Sequence, residues 1–234
     1  MAHKIVLFVQ PAYNYSSGEV EYAEVLIRNY RGLDKVPNIL RFVHRNNIEE
    51  SFDLEVLNET LDLLNKYNKK PRYPIGVNLC SESIAKEDIA DKIIYNIDSY
   101  GISHDTIVIE VNEHTDFKDD IVKKNIHKLR KAGIRIALDD FGIDNSNLYS
   151  LMNCDIDILK VDRAFIDSNS EREESQHEIL KALMQLCNAL KLKHIVEGIE
   201  TSRQLKKIQN LGYSVVQGYL YERPIPFDDF IMQY

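Results

Sequence analysis

In residues 134–142, which read IRIALDDFG, a short apolar run ends on two adjacent acids and a glycine. A continuous apolar run of this length is typical of a buried strand. An unpaired charge is costly to bury, so acids at the end of a core strand are seldom placed there for stability. The stretch therefore predicts a buried strand that ends at a functional site, with Asp139 and Asp140 in that site.

Six other short apolar runs also end on an ionisable or amide side chain. Their last residues are Glu24, Asn78, Glu110, Lys160, Glu197 and Gln217. In a barrel of parallel strands, the carboxyl ends of the strands converge on one face, and the chemistry takes place there. An open sheet binds ligands at one switch point in its strand order, and the endings here are not confined to one point. The seven endings together therefore predict one polar pocket in a closed barrel.

The order of the remaining patterns predicts one α/β domain over residues 1–234. A strand at 4–10, a polar turn at 14–18 and an apolar segment at 20–27 form a hairpin pattern, so the first two strands should be antiparallel. Helical periodicity then alternates with the strands, at 52–67, 84–100, 119–131, 176–190 and 202–211. Such alternation implies a parallel sheet. The predicted fold is a TIM-like (β/α)8 barrel whose first strand runs antiparallel.

The composition of the chain indicates which partners the protein can bind and in which cell compartment it is expected. The net charge of −8 and the pI near 5.4 argue against a DNA or RNA polymer as partner, which requires a basic surface. We find no signal peptide, and no apolar run approaches the roughly 18 residues of a spanning helix. The three cysteines, Cys80, Cys154 and Cys187, are widely separated and lie in apolar surroundings. We therefore expect buried, reduced thiols in a cytoplasmic protein that does not bind a membrane.

The strand ends supply a set of hard oxygen donors: Glu24, Asn78, Glu110, Asp139 and Asp140. These ligands suit Mg²⁺, Mn²⁺ or Ca²⁺, and they suit zinc poorly because no cluster of cysteines and histidines has ligand spacing. Adjacent acids at one strand end point in different directions and can therefore face two neighbouring ions. Two ions about 3.5–4 Å apart are a known device for displacement at phosphorus.

Three further strand ends carry groups suited to proton transfer and orientation. Lys160 can stabilise a phosphate oxygen, or help to deprotonate water if its pKa is lowered. Glu197 can act as a general base or as a ligand of the second ion, and Gln217 can orient water or substrate. The alternative for any one of the acids is a helix N-cap or a solvated loop residue. Seven polar endings in one predicted barrel favour a shared site.

The ordered motifs resemble the EAL-domain phosphodiesterases, which hydrolyse cyclic di-GMP to linear pGpG. The resemblance extends over nearly the whole chain, from about residue 6 to residue 227. It is carried by Gln10-Pro11, Glu24-Val25-Leu26, Val77-Asn78-Leu79, Ala137-Leu138-Asp139-Asp140-Phe141-Gly142, Leu159-Lys160-Val161-Asp162, Val196-Glu197-Gly198-Ile199-Glu200-Thr201 and Gln217-Gly218-Tyr219. One such motif alone would be weak support for the resemblance. Several motifs in the same order across one domain make the resemblance specific.

The resemblance implies two bound ions, Mg²⁺ or Mn²⁺. The first would be held by four residues: Glu24, Asn78, Glu110 and Asp139. Asp139 would bridge to the second ion, which Asp140 would also bind. Lys160 and Glu197 would assist the attacking water, and Gln217 would complete the site.

The resemblance also assigns residues outside this group. Arg28 and Gln10 would contact the substrate, cyclic di-GMP, and Glu113 and Glu200 would anchor loops beside the site. Many relatives form homodimers, so a homodimer is expected here as well. The family resemblance alone implies these assignments, since neither the composition nor the spacing of the chain would indicate them.

One loop departs from the family pattern. After Gly142 the family usually continues Thr-Gly-Tyr-Ser-Ser-Leu, whereas residues 143–148 of this chain read IDNSNL. Asp144 replaces a glycine, the residue best suited to a positive φ, and Asp tolerates that region better than most other residues. The loop can therefore keep its shape, or it can be looser and weaken the second metal site. The alternative functions are an inactive cyclic di-GMP receptor, a protein-interaction module of the same fold, or an unrelated barrel enzyme with the same ligands.

Overall fold

Eight strands form a closed barrel in the computed structural model, which describes residues 5–67, 71–142, 151, 154–166 and 173–234. They are β1 (Val6–Asn14), β2 (Val20–Asn29), β3 (Ile75–Leu79), β4 (Ile107–Asn112), β5 (Arg135–Phe141), β6 (Ile158–Val161), β7 (Lys193–Val196) and β8 (Val215–Gln217). Neighbouring strands from β2 to β8 are parallel. β1 pairs antiparallel with both β2 and β8 and thereby closes the ring. The predicted barrel with a reversed first strand is confirmed.

The hairpin between β1 and β2 forms as the sequence predicts. The side chain of Asn14 accepts hydrogen bonds from the backbone of Ser16 and Ser17, and Gly18 at φ +72° closes the turn. A ninth short strand, β9 (Ile225–Pro226), pairs antiparallel with the first half of β1. The backbone of β1 is therefore hydrogen-bonded to three strands, which fixes the one reversed element of the barrel.

The helices of the described residues surround the barrel: α1 (Val36–Asn46), α2 (Glu49–Lys66), α3 (Ser81–Ile84), α4 (Ile89–Ser99), α5 (Asp120–Lys131), α6 (Glu173–Leu190), α7 (Ser202–Asn210) and α8 (Phe227–Gln233). The helical patterns correctly predict α2, α5, α6 and α7. α5 begins at the N-cap Asp119, which accepts hydrogen bonds from the next turn, and ends before Gly133 at φ +98°. Both signals are visible in the sequence.

Three features of the helices differ from the prediction. The pattern at 84–100 is interrupted, because the chain turns between α3 and α4 and Asp88 flanks a new helix. The sequence patterns do not predict α1. It carries a proline in its first turn, where proline is tolerated, and buries only Ile39 and Val43. They do not predict α8 either, which is only seven residues long.

One layer of the barrel interior consists of alanine, valine and isoleucine side chains and one tyrosine. We call it the apolar layer, and it comprises Ala12, Tyr22, Val108, Ala137, Ile158, Ile195 and Val215. Outward-facing strand residues such as Val9, Val77 and Leu138 belong to a separate, larger core between the barrel and the helices. Since successive strand side chains point to opposite faces, the residues two positions along from the apolar layer also point inward.

The composition led to two expectations that can be compared with the described residues, one on membrane-spanning helices and one on the cysteine thiols. None of their helices has the length and apolar character needed to cross a membrane. The three cysteines are free thiols, but only Cys187 is fully buried, whereas Cys80 and Cys154 are partly exposed. The prediction of three buried thiols is therefore confirmed for one of them.

Candidate active site

A ring of polar side chains lies two residues along each strand from the apolar layer, towards the carboxyl ends of the parallel strands. We call it the polar layer, and it comprises Gln10, Glu24, Asn78, Glu110, Asp139, Lys160, Glu197 and Gln217. On β1 the offset is two residues backwards, because that strand is reversed. The barrel thus brings together the seven predicted strand endings and adds Gln10 from β1.

Lys160 lies among four carboxylates of the polar layer. Its side chain is 0% exposed, and Nζ lies 2.5 Å from Glu110, 2.8 Å from Glu197, 3.0 Å from Asp139 and 3.3 Å from Glu24. Burial disfavours the charged ammonium, but the four carboxylates outweigh that effect and raise the pKa of Lys160 well above its usual value. Lys160 is therefore a buried cation that partly neutralises the acids around it.

Glu110 is the most deeply buried acid of the polar layer, at 1% exposure. Its Oε1 accepts a hydrogen bond of 2.6 Å from the hydroxyl of Tyr22, and its Oε2 accepts one from Lys160. Burial raises the pKa of Glu110 to about 8; Lys160 opposes this shift, and Glu24 and Asp139 add to it. Both oxygens of Glu110 are thus held in fixed positions by donors.

Amide side chains hold Glu24 in place. Asn78 Nδ2 donates to Glu24 Oε1 over 3.3 Å, and Gln217 Nε2 donates to Glu24 Oε2 over 2.8 Å. Gln217 also lies 3.5 Å from the side-chain oxygen of Gln10, whose Nε2 donates to the carbonyl of Glu222. β2 and β8, the strands on either side of β1, are thereby joined through the polar layer.

The pairing of β5 with β6 is irregular where the adjacent acids lie. The register shifts between Leu138 and Phe141, and Asp140 has a φ of +54°. A non-glycine residue in this region is strained, and such strain is often found at functional sites. Asp139 points into the barrel by ordinary alternation, two residues after Ala137, and beside the irregularity the Asp140 carboxyl reaches the same site from a more exposed position. Partial burial of the carboxyl, with the charge of Asp139, raises the pKa of Asp140 to about 6.

The acids form two groups whose geometry suits divalent cations. One group is Glu24, Glu110 and Asp139, and the other is Asp139, Asp140 and Glu197. Within each group the ligand oxygens lie within 4.8 Å of one another, and Asp139 belongs to both. Carboxylate oxygens are preferred by Mg²⁺, Mn²⁺ and Ca²⁺, so the donor set fits ions of this class. The structure thus brings together the four predicted acidic ligands and Glu197, with Asn78 adjacent to Glu24.

Two cavities open beside the polar layer, and both are lined by Glu24 and Leu26. The first has a volume of about 360 Å³ and extends past Asn78 and Asp140 towards Arg28. The second has a volume of about 190 Å³, and its lining residues include Gln10, Arg163, Glu197, Glu200 and Tyr219. A ligand longer than either cavity can therefore lie across the acidic groups and extend into both.

Of the remaining predicted residues, Arg28, Gln10 and Glu200 line these cavities, whereas Glu113 lies outside both linings. Arg28 lines the first cavity, with its guanidinium 5.6 Å from the ring centre of Phe8, and Gln10 lines the second. Glu113 accepts a hydrogen bond of 3.1 Å from the backbone of Gly142, at the start of the altered loop. Glu200 lies 3.5 Å from Arg163. The altered loop itself, at 143–148, lies outside the described residues.

The sequence interpretation does not identify two residues of this region. Tyr22 contacts Glu110 from the apolar layer, and its position two residues before Glu24 on one strand is an available signal. Asp53 is a buried acid on α2 that lines the first cavity and accepts hydrogen bonds from the backbone and thiol of Cys80. Burial raises the pKa of Asp53 to about 7. The available signal is helical spacing, because Asp53 shares the apolar face of α2 with Val56, Leu57 and Leu61.

Comparisons with known proteins agree with this geometry. Residues 2–224 match the family model of the EAL domain. The chain is 32% identical over 231 residues to the probable cyclic di-GMP phosphodiesterase PdeA of Escherichia coli K12, covering 96% of this chain and 31% of PdeA. It is 28% identical over 240 residues to the cyclic di-GMP phosphodiesterase NbdA of Pseudomonas aeruginosa PAO1, covering 99% of this chain and 30% of NbdA. The chain therefore spans about a third of the length of these relatives.

A solved structure shares both the fold and part of the sequence. It is described as the PaMucR phosphodiesterase in complex with c-di-GMP, and it superposes with a TM-score of 0.87 at 27% identity. The superposition covers 97% of this chain and 99% of that one. With the barrel, the polar layer and the family match over residues 2–224 established, the chain belongs to the EAL domain family.

Proposed function

We propose that this chain is a metal-dependent phosphodiesterase that hydrolyses cyclic di-GMP to linear pGpG. The observation that carries the proposal is the pair of carboxylate groups that share Asp139 and lie between two cavities. Two ions side by side are suited to displacement at phosphorus, and the cavities offer room for the two halves of a dinucleotide. The relatives named as cyclic di-GMP phosphodiesterases supply the identity of the substrate.

The residues of the polar layer fit a pair of Mg²⁺ or Mn²⁺ ions. Five residues would hold them: Glu24, Asn78, Glu110, Asp139 and Asp140. When bound, such ions supply positive charge for the phosphate oxygens and lower the pKa of a coordinated water. Since ligand carboxylates must be ionised to bind metal, occupancy of the site would depend on deprotonation of Glu110 and Asp140.

The chain's own groups would assist the displacement at phosphorus. The oxygen of water would form a bond to one phosphorus, the bond from that phosphorus to a ribose 3′ oxygen would break, and the 3′ oxygen would take up a proton from solvent to become the free hydroxyl of linear pGpG. The carboxylate of Glu197 would take the proton from water, because burial raises the pKa of Glu197 and makes it a stronger base. The ammonium of Lys160 would stabilise the negative charge that develops on the phosphate.

Substrate binding would use the rims of the two cavities. Arg28 would pair with a phosphate from the first cavity, and Gln10 would donate or accept hydrogen bonds in the second. Gln217 would hold Glu24 and orient the reacting groups, consistent with its hydrogen bond of 2.8 Å to Glu24. Glu113 would fix the backbone after Asp140 through its bond to Gly142.

The proposal is tested by chromatography of cyclic di-GMP incubated with the purified chain and Mn²⁺ or Mg²⁺. We expect pGpG to appear, and we expect EDTA and the Glu24→Ala variant each to abolish it. Glu21→Ala is the matched control, because Glu21 is an exposed acid on the same strand and lies outside both carboxylate groups. It should retain full activity.

Failure to hydrolyse would separate the alternatives. Unchanged substrate with a folded, metal-saturated protein contradicts the enzymatic proposal. Binding of cyclic di-GMP by that protein, measured by calorimetry, would then identify a receptor. Absence of both activity and binding would favour a protein-interaction module.

A further inference from the structure

Tyr22 connects the two layers of the barrel interior. Its ring belongs to the apolar layer and is 2% exposed, while its hydroxyl reaches the polar layer and donates to Glu110 Oε1 over 2.6 Å. Among the members of the apolar layer defined above, Tyr22 is the one that carries a polar atom on its side chain. The hydrogen bond joins β2 to β4 across the intervening strand β3.

Gly76 on β3 provides the space for this contact. A Cβ atom at Gly76 would lie 1.9 Å from the Tyr22 hydroxyl and 1.9 Å from Glu110 Oε1. The register places Gly76 opposite Glu24 on one side and Val108 on the other, so it lies between the two strands that the bond joins. A glycine inside a strand often marks a site where other groups approach closely, and the approaching groups here are Tyr22 and Glu110.

The two oxygens of Glu110 consequently have different surroundings. Oε1 is turned towards Tyr22 and Gly76, below the polar layer. Oε2 is turned towards Lys160 Nζ at 2.5 Å, among the other carboxylates. While the phenol donates to Oε1, only Oε2 faces the group formed with Glu24 and Asp139.

The two classes of hard ion differ in how they use a carboxylate. Ca²⁺ takes six to eight oxygens and often binds both oxygens of one carboxylate. Mg²⁺ requires compact octahedral geometry and uses few carboxylate oxygens. A carboxylate limited to one available oxygen therefore suits the smaller ion better.

We propose that Tyr22 is a positioning residue that restricts Glu110 to a single ligand oxygen, Oε2, and thereby favours Mg²⁺ and Mn²⁺ over Ca²⁺. The inference rests on the proposed function in one respect, that Glu110 is a metal ligand. In this role Tyr22 would bind neither metal nor substrate. It acts through the orientation of the Glu110 carboxylate, and Gly76 permits this orientation.

The test is calorimetric titration of Mn²⁺ and Ca²⁺ into the EDTA-stripped full chain and into its Tyr22→Phe variant. We expect the Kd for Mn²⁺ to rise about tenfold or more, in the range seen when a partner of a metal ligand is removed. The Kd for Ca²⁺ should change less, so the preference for Mn²⁺ over Ca²⁺ should fall.

The matched control is Tyr213→Phe. Tyr213 is also fully buried, and its hydroxyl donates over 2.7 Å to the carbonyl of Leu180, away from the polar layer. This variant should lose a similar amount of thermal stability, while both metal affinities remain unchanged. Gly76→Ala is a second probe and should weaken Mn²⁺ binding at least as much as Tyr22→Phe.

The outcomes are distinct. Equal loss of affinity for both ions in Tyr22→Phe overturns the proposal, because it indicates a general disturbance of the site. Unchanged affinities in Tyr22→Phe overturn it too. If the unmodified chain binds neither ion, the metal site of the proposed function fails as well, and this result is recognised in the unmodified chain alone.

Discussion

The apolar and polar layers of the barrel interior differ in composition although they are built from the same strands. They are separated by two residues on each strand, or about 6.6 Å. The apolar layer contains valine, isoleucine, alanine and one tyrosine, whereas the polar layer contains four carboxylates, three amides and one lysine. The comparison shows that the barrel interior changes from apolar to polar between one inward-facing residue of a strand and the next inward-facing residue.

The layers also contribute to stability with opposite sign. Burial of branched apolar side chains stabilises the barrel at about 25 cal/mol per Å² of apolar surface. Burial of several carboxylates around one ammonium costs desolvation energy, and pairing returns only part of it. We infer that without metal the apolar layer supports the fold and the polar layer weakens it. The following predictions test this contrast.

The largest effect is expected when Lys160 is replaced by methionine. Four carboxylates then lose the cation that lies within 3.3 Å of each of them. We expect the free energy of unfolding to fall by about 3–5 kcal/mol in urea with EDTA, as for other broken buried ion pairs. Mn²⁺ should restore part of the loss.

The control for this substitution is Lys193→Met, at an exposed position on β7. It should change stability by no more than about 0.5 kcal/mol. A loss below about 1 kcal/mol for Lys160→Met would contradict the contrast between the layers.

A smaller effect is expected when a ligand shared by both carboxylate groups is neutralised. Asp139→Asn keeps the shape but removes one charge from each group. We expect Mn²⁺ affinity to fall about 100-fold, which corresponds to about 2.7 kcal/mol. Asp140→Asn affects one group and should weaken binding less. Calorimetric titration of both variants checks the order, and a reversed order would show that Asp139 does not bridge.

The third prediction concerns pH. The folded-state pKa values of Asp140 and Glu110, about 6 and about 8, lie above unfolded values near 4. Their stabilising contribution is therefore fully present below about pH 4 and is lost as the pH rises through about 6 and then 8. In EDTA we expect the Tm to fall by about 5 °C between pH 5 and pH 8.5.

Saturating Mn²⁺ should reduce or reverse this dependence, because the metal binds the ionised carboxylates. Scanning calorimetry at several pH values, with and without Mn²⁺, makes the comparison. A Tm that rises with pH in EDTA would show that the acids of the polar layer do not control stability in this range.

The smallest effect is expected in the apolar layer. Ile195→Val removes one methylene group two residues before Glu197. We expect a loss of about 0.5–1.5 kcal/mol, typical of this substitution in a core. Mn²⁺ affinity should remain within twofold of the unmodified chain. Urea unfolding and metal titration measure the two quantities, and a tenfold loss of affinity would show that the layers are not independent.

Much of this organisation can be predicted from the sequence, because strand endings are local patterns. Runs such as Ile195-Val196-Glu197 place an acid at the end of an apolar segment, and the barrel topology then brings the endings together. The hairpin of β1 and β2 and the glycine after α5 are predictable for similar local reasons. Features that depend on residues close together in the sequence can therefore be predicted from the sequence.

Features that depend on strand register or on contacts between distant residues cannot be predicted from local sequence patterns. The role of Gly76 requires knowing that β3 lies between Tyr22 and Glu110. The shift of register beside Asp140 depends on pairing with β6, and the contact of Asp53 with Cys80 depends on how α2 packs over the end of β3. The turn between α3 and α4 interrupts a pattern whose apolar spacing continues across it. In each case a contact between residues distant in sequence is involved, and at this turn Asn125 of α5 donates hydrogen bonds to the carbonyls of Ile84 and Lys86.

The reversed direction of β1 has a consequence for any polypeptide attached ahead of it. Val6, the first residue of β1, pairs with Asn29 at the end of β2, on the side of the barrel that carries the polar layer. A fusion partner joined before Val6 would therefore be tethered at the mouth of the cavities and not beneath the barrel. The direction of one strand thus makes the amino-terminal attachment point a position from which a neighbouring domain can shield the site or leave it open.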